Sequence, residues 1–204
     1  RIGPMQNTDL IKEELGTIAA MIRDREVSPV QVAEAHLEWI ERLNPELNAI
    51  VTFAPDVMER ARQAEAAVMR GDAPGALHGV PITVKDTIET AGLRTTSGSK
   101  VRMDYVPRVD APAVARLKAN GAIILGKTNA AEMAMDYTAD NPVFGRTVHP
   151  QDPKLTPFRD IAKNMLWYGY KGSLGPAATA TLARAEGLEA HARSAELRLP
   201  DSER

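Results

Sequence analysis

Lys85 is the residue whose type and position point most directly to chemistry. It ends a run of apolar and β-branched residues, VPITVK (80–85), and Asp86 follows it at once. A lysine held among apolar groups gives up its proton more readily, because burial disfavours the charged ammonium, and it can then serve as a general base. The alternative is a lysine that ends a strand and extends into water, which is the common state of lysine side chains.

Other residue types exclude several kinds of site. The chain has no cysteine, which excludes thiol catalysis and disulfides, so a zinc site would need His or carboxylate ligands. No pair among the four histidines has the i, i+4 spacing of a helical metal site. The run GAIILGKT (121–128) fits the letters of a phosphate loop, but its apolar centre predicts a strand instead of a flexible loop. We therefore predict no cofactor and no bound metal.

Composition limits the partners. The chain of 204 residues has a net charge of −2 and lacks the basic excess that phosphate binding leaves, so we predict no nucleic-acid partner. No apolar run approaches the length of a transmembrane helix and no signal peptide is visible, so we predict no membrane partner. Together with the absence of cysteine, these features lead us to expect a cytoplasmic protein.

Hydrophobic periodicity and turn residues predict an α/β protein. The strand–helix–strand order of residues 80–126 favours a partly parallel sheet. Thr8 and Ser28 are candidate N-caps, and Asn44-Pro45 is expected to end the second helix. The predicted helices cover 8–22, 28–43, 55–70, 111–120 and 176–192, and the predicted strands cover 49–53, 80–85 and 122–126.

Six short phrases follow one another along the middle of the chain. They are HGVPITVKD (78–86), GLRTTSGS (92–99), DAPAV (110–114), GAIILGKTN (121–129), EMA (132–134) and NPVFG (141–145). Each phrase is weak alone, but their order and spacing are specific. Over residues 8–156 the chain resembles the amidase signature family. The resemblance implies the N-terminal part of an amidase-type mixed sheet with covering helices, followed here by a helical tail.

The resemblance also implies an activity, the hydrolysis of a small-molecule amide by a Ser–cis-Ser–Lys triad. In that family a lysine deprotonates a relay serine, the relay serine activates a nucleophilic serine, and backbone N–H groups stabilise the oxyanion. Lys85 matches the family lysine and is the one catalytic position that the resemblance transfers to this chain.

The serine-bearing part of that triad has no counterpart in the sequence. In the family a Gly/Ser-rich stretch follows a phrase like DPKLTP (152–157), whereas here FRDI (158–161) follows. None of the serines lies in a double-glycine, double-serine setting, and Ser173, in GSLG (172–175), is the nearest imitation. We therefore expect a catalytically incomplete amidase fragment. The six serines are Ser28, Ser97, Ser99, Ser173, Ser194 and Ser202.

The tail has a resemblance of its own. Residues 158–199, with the phrase EGLEAHARS (186–194), resemble the C-terminal end of histidinol dehydrogenase. In that family the histidine matching His191 ligates zinc and the glutamate matching Glu186 contacts substrate. One imidazole does not make a zinc site, so no tight zinc binding is expected. We therefore predict two parts, a truncated amidase-like domain at 1–157 and a tail at 158–204.

Two alternatives to an inactive amidase fragment remain open at this point. One is a noncatalytic interaction module, in which the tail binds a dehydrogenase-like partner. The other is a fusion product whose tail derives from a zinc- and NAD-dependent dehydrogenase. In either case a sheet that lacks part of its family's strands should have uncovered edges, so we also expect self-association.

Overall fold

The computed structural model describes residues 7–72, 75–136 and 138–150. These residues form an α/β arrangement, as the sequence predicts. The predicted tail, with its helix over 176–192, lies outside the described residues. The helices are α1 Asn7–Leu10, α2 Leu15–Arg23, α3 Pro29–Leu47, α4 Val57–Arg70 and α5 Pro112–Ala119, the strands are β1 Ile50–Phe53, β2 Pro81–Lys85 and β3 Ile123–Thr128, and two short 3-10 helices cover Lys100–Arg102 and Glu132–Ala134.

The three strands form a mixed sheet in the order β1-β3-β2. β3 runs antiparallel to β1 and parallel to β2, which confirms the predicted partly parallel sheet. Five of the six residues of β3 are buried, as expected for a central strand that is covered on both faces. Among the described residues, β1 and β2 each pair with β3 only, so both have an open outer edge.

Gly126 allows the two antiparallel strands to approach closely. A Cβ atom at this position would lie 2.3 Å from the carbonyl oxygen of Thr52, which is too close for any side chain. Both strand pairings also shift register, in β1 between Ile50 and Thr52 and in β2 between Ile82 and Thr83, where the second shift adjoins Gly126. The glycine is thus required by the backbone of the neighbouring strand, and residues 123–128 are strand, so the Gly-Lys-Thr letters do not form a phosphate loop.

The N-terminus of α3 follows its sequence signal. Ser28 accepts a hydrogen bond from the Gln31 backbone N–H, and the Gln31 side chain accepts one from the Ser28 N–H, which completes a capping box.

The predicted C-terminus of α3 at Leu43 is wrong. The helix continues through Pro45 to Leu47 and ends at Asn48, which adopts the left-handed conformation. The Asn44-Pro45 pair, expected to stop the helix, lies within it, and the Asn44 side chain accepts hydrogen bonds from the backbone N–H groups of Ala49 and Ile50. It thereby connects the end of α3 to the start of β1.

The single helix predicted over 8–22 is also wrong, since the structure divides it into α1 and α2. The Lys12 N–H donates to the Asp9 carbonyl and the Glu13 N–H to the Leu10 carbonyl, three residues back, so the first turn tightens and ends. Glu14 then adopts an extended backbone and begins α2. Of the apolar stripe predicted at Leu10, Ile11, Leu15, Ile18 and Ala19, Leu10 and Ile18 are buried, whereas Leu15 is exposed. The run of charges at Lys12-Glu13-Glu14 provides no buried side chain to continue the helix across it.

Two apolar clusters make up the core of the described residues. One lies between the sheet and helices α3, α4 and α5, and the other lies between α1, α2, α3 and the start of β2. Ile82 packs against both clusters and joins them. Among the described residues, none of the helices combines the length and the apolar character needed to cross a membrane.

Candidate active site

Lys85 is the last residue of β2 and its side chain is exposed. In the parallel pairing it lies opposite Thr128 of β3. The Ile88 N–H donates to the Lys85 carbonyl oxygen at 2.9 Å, so the strand ends in a tight turn. Within the described residues the Lys85 ammonium has no hydrogen bond or ion pair. The structure thus places the sequence-predicted site residue at the carboxyl end of a parallel strand and open to solvent.

The neighbouring Asp86 is fully buried. Its carboxylate accepts hydrogen bonds from the Thr96 hydroxyl at 2.6 Å, from the Thr96 N–H at 3.1 Å and from the Gly98 N–H at 3.3 Å. Its own backbone N–H donates to the Thr128 carbonyl oxygen at 2.9 Å. Asp86 therefore extends the β2–β3 pairing by one step and holds the turn at residues 96–98 against the end of the sheet.

Lys127, in the neighbouring strand β3, is a second buried charge. Its ammonium donates to the Thr90 hydroxyl at 2.9 Å, to the Thr95 hydroxyl at 3.1 Å and to the carbonyl oxygen of Ile88. Burial lowers the pKa of Lys127 to about 8, and the negative charge of Asp86 acts in the opposite direction. Three acceptors match the three N–H groups of an ammonium, so the geometry fits the protonated form.

Sequence reasoning missed both Asp86 and Lys127 as structural determinants of this site. It noted the phrase VKD for its lysine and weighed the phrase GKT only as a phosphate loop. The usable signal was the position of Lys127, a lysine that directly follows a strand predicted to be buried. Such a lysine must find acceptors inside the protein.

Two buried serines lie near this end of the sheet. Ser97, which has a φ of 54°, donates its backbone N–H to the Asp86 carbonyl oxygen at 3.3 Å. Its carbonyl oxygen accepts the Met133 N–H at 2.7 Å. Ser99 is buried in the same turn. Neither hydroxyl bonds to the Lys85 amine within the described residues, and Ser173, Glu186 and His191 lie outside them.

The last phrases of the family resemblance form a hydrogen-bonded asparagine network. The Asn129 amide donates to the carbonyl oxygens of Ala139 and Gly145, and its own side-chain oxygen accepts from the Asn141 amide at 2.6 Å. The buried Asn141 in turn accepts the backbone N–H groups of Val143 and Phe144. Through these hydrogen bonds, Asn129 and Asn141 hold the 139–147 loop at the end of β3. Both asparagines therefore have a structural function.

A cleft of about 320 Å³ lies away from Lys85. It is formed by the C-terminal ends of α2 and α4 and by residues 75–78, which precede β2. The His78 ring bonds to the Ala64 carbonyl oxygen, and the Arg25 guanidinium caps the Val68 carbonyl oxygen of α4. Across the described parts of the chain, no three His, Cys, Asp or Glu side chains converge as metal ligands would.

Comparison with known proteins identifies the family to which this chain belongs. A family model described as Amidase matches residues 31–157, and the chain belongs to that family. A glutamyl-tRNA(Gln) amidotransferase subunit from Carboxydothermus hydrogenoformans is 40% identical over 141 residues, which are 69% of this chain and 29% of that protein. Indoleacetamide hydrolase of Bradyrhizobium diazoefficiens is 39% identical over 139 residues, which are 68% of this chain and 26% of that protein.

The solved structures agree with the sequence comparison. The native peptide amidase from Stenotrophomonas maltophilia superposes with a TM-score of 0.67 at 28% identity, covering 72% of this chain and 31% of that one. The matching part of this chain therefore has the fold of an amidase. It spans less than a third of the length of these relatives.

Proposed function

We propose that this chain is an amidase-family segment that presents the Lys85 amine but does not itself hydrolyse amides. Family membership and the place of Lys85 in the phrase VKD support its assignment as the family's catalytic lysine. The parent reaction is hydrolysis of a carboxamide to a carboxylate and ammonia or an amine. Two of the relatives, an indoleacetamide hydrolase and a peptide amidase, have names that point to amide substrates.

The proposed lack of amidase activity rests on the surroundings of the Lys85 side chain. A general base accelerates hydrolysis only when it is within hydrogen-bond reach of the group that it deprotonates. The Lys85 amine is exposed and has no serine hydroxyl bonded to it within the described residues. Along the sequence, FRDI (158–161) stands where the family resemblance calls for glycines and serines. Without a nucleophile and an oxyanion hole, the lysine can contribute little rate acceleration.

An activity assay tests this proposal. Purified chain and its Lys85→Ala variant are incubated with simple aromatic and peptide amides, and ammonia or amine release is followed. We expect both proteins to give the same rate as buffer. Turnover that depends on Lys85 would contradict the proposal, and a Ser173→Ala variant would then show whether Ser173 is the nucleophile.

A noncatalytic interaction module is the second candidate, and the exposed apolar side chains favour it. Val101 is 90% exposed and Met135 is 85% exposed, and Met103 and Tyr105 are also partly open to solvent. Exposed apolar side chains and open strand edges are features of surfaces that bind other chains. The binding of a dehydrogenase-like partner by the tail remains part of this second proposal.

A further inference from the structure

Two oppositely charged and fully buried side chains flank the Lys85 site. Asp86 follows β2 directly, and Lys127 belongs to β3, where it pairs with Val84 of β2. No described ion pair joins the two. Instead, each charge is satisfied by hydrogen bonds to a third part of the chain, residues 88–98, which we call the 88–98 segment.

The two charges hold neighbouring parts of the 88–98 segment. Lys127 binds oxygens of Ile88, Thr90 and Thr95, and Asp86 binds N–H and hydroxyl groups of Thr96 and Gly98. Thr95 and Thr96 are adjacent, so one residue is held by the cation and the next by the anion.

The threonine hydroxyls are oriented to receive the ammonium. The Thr90 hydroxyl donates to the Ile88 carbonyl oxygen at 3.2 Å, and the Thr95 hydroxyl donates to the Leu93 carbonyl oxygen at 3.0 Å. Because their protons are used in these bonds, their lone pairs are free to accept from Lys127. The acceptor site is therefore built by the local backbone of the segment itself.

Stability alone does not explain a lysine at this position. Burying a charge carries a desolvation cost, and apolar side chains of similar volume often replace buried charges without loss of stability. A buried ammonium differs from such a side chain in that it fixes the directions of three acceptors at once. Its effect should therefore appear in the geometry of the 88–98 segment more than in the stability of the sheet.

We propose that Lys127 is a positioning residue of the Lys85 site. It holds the 88–98 segment so that Thr96 and Gly98 meet the Asp86 carboxylate, and this contact fixes the Lys85-Asp86 end of β2. The inference rests on the proposed function in one respect, that Lys85 is the functional group of the site.

The test replaces Lys127 with methionine and measures amide hydrogen exchange residue by residue under native conditions. The Thr96, Gly98 and Asp86 amides report on the site, and none of them bonds to Lys127. The Ala54 amide, which donates to the Leu125 carbonyl oxygen, reports on the sheet. Lys100→Met is the matched control, because Lys100 is exposed in the 3-10 helix that follows the segment.

In Lys127→Met we expect protection at Thr96, Gly98 and Asp86 to fall at least tenfold, while protection at Ala54 changes less than twofold. Lys100→Met should leave all four amides unchanged. Unchanged protection at Asp86 would overturn the proposal, since Lys127 would then act on the 88–98 segment alone. An equal loss at all four amides would also overturn it, since Lys127 would then serve only the global fold.

A second variant keeps the test decisive if Lys127→Met does not fold. Thr95→Val removes one acceptor while keeping the shape of the side chain, and we expect a smaller loss of protection at the same three amides. Protection unchanged in Thr95→Val would overturn the proposal in that case. None of these measurements depends on turnover. Amide hydrolysis by the purified chain would therefore contradict the proposed function without contradicting the positioning role of Lys127.

Discussion

At the scale of single residues, Asp86 makes the most specific contacts of the site. Its carboxylate is removed from water and accepts hydrogen bonds from the Thr96 N–H, the Thr96 hydroxyl and the Gly98 N–H. In Asp86→Asn an amide group would place its own N–H donors against them. We expect this variant to lose about 3 kcal/mol of unfolding free energy, because a buried set of charge-assisted hydrogen bonds is broken.

Urea denaturation of the two proteins measures this loss. Asp104→Asn is the control, because Asp104 is exposed and should change the unfolding free energy by less than about 0.5 kcal/mol. Equal effects of the two substitutions would show that the Asp86 hydrogen bonds contribute nothing specific.

Lys127 makes the stability depend on pH in a definite direction. Its pKa is about 8 in the folded protein and 10.5 ordinarily, so between these values the unfolded chain binds more protons than the folded one. Below pH 8 the full cost of burying the charged ammonium lowers the unfolding free energy. The unfolding free energy therefore rises as the pH increases from 8 towards 10.5. A pKa difference of one corresponds to about 1.4 kcal/mol, so this rise amounts to roughly 3 kcal/mol at most.

Denaturation at several pH values between 7.5 and 10.5 checks this expectation. Other groups titrate in the same range, so the quantity to compare is the pH slope of the unfolding free energy in the original chain and in Lys127→Met. The slope should be more positive in the original chain. Identical slopes would mean that Lys127 has the same pKa in the folded and unfolded states.

The contrast between the two lysines shows what the sequence could predict of this site. The sequence indicated the family through the succession of phrases and the end of a strand through the apolar run before Lys85, since both depend on local order along the chain. It could not show that Lys127 would be the buried lysine, because its acceptors at Ile88, Thr90 and Thr95 lie more than thirty residues away in sequence. Contacts of that range follow from the sheet register, which a single sequence leaves open.

At the scale of secondary-structure elements, replacing two glycines with alanine should change the stability in opposite directions. In Gly126→Ala the new Cβ would meet the Thr52 carbonyl oxygen, so β1 and β3 would have to separate. We expect a loss on the order of 3 kcal/mol or more, as for other overpacked backbone contacts. In Gly16→Ala, within α2, nothing lies within 4 Å of the new Cβ, and we expect a gain of about 0.5–1 kcal/mol.

Thermal or urea unfolding of both variants measures the pair of effects, and each variant serves as the other's control. A Gly126→Ala protein as stable as the original would mean that the strands can separate at no cost. Destabilisation by Gly16→Ala would indicate a conformation at this position that the helix does not explain.

The predicted elements were most accurate where the signal is local. Ser28 followed by Pro29 indicated the start of α3, and the apolar runs indicated all three strands to within a few residues. The end of α3 was wrong because Asn44 forms its hydrogen bonds with β1, and because Asn48 ends the helix by bonding the carbonyl oxygens of Phe144 and Arg146. A helix end that is fixed by a loop almost one hundred residues later leaves little trace in the helix sequence.

At the scale of the whole molecule, the open sheet edges lead us to expect self-association. β1 and β2 each have one unpaired edge among the described residues, and the β1 residue Phe53 is 46% exposed. Unpaired strand edges with exposed apolar side chains tend to pair with other chains. Light scattering over a range of protein concentrations should show a mass that increases with concentration.

A Phe53→Lys variant provides the comparison, because a charge at a strand edge disfavours pairing between chains. We expect this variant to remain closer to the monomer mass at the same concentration. A single monomer mass at all concentrations in the original chain would contradict the expectation and would show that its sheet edges are covered.

The central position of β3 also has a consequence for synthesis on the ribosome. β1 and β2 precede their common partner along the chain, and roughly 75 residues separate the end of β1 from the end of β3. At about 5–20 residues per second, translation of that interval takes roughly 4–15 s. During this time the nascent chain carries a β1 segment with no native partner to pair with. These seconds are the period in which a chaperone or an incorrect strand pairing would compete with β3.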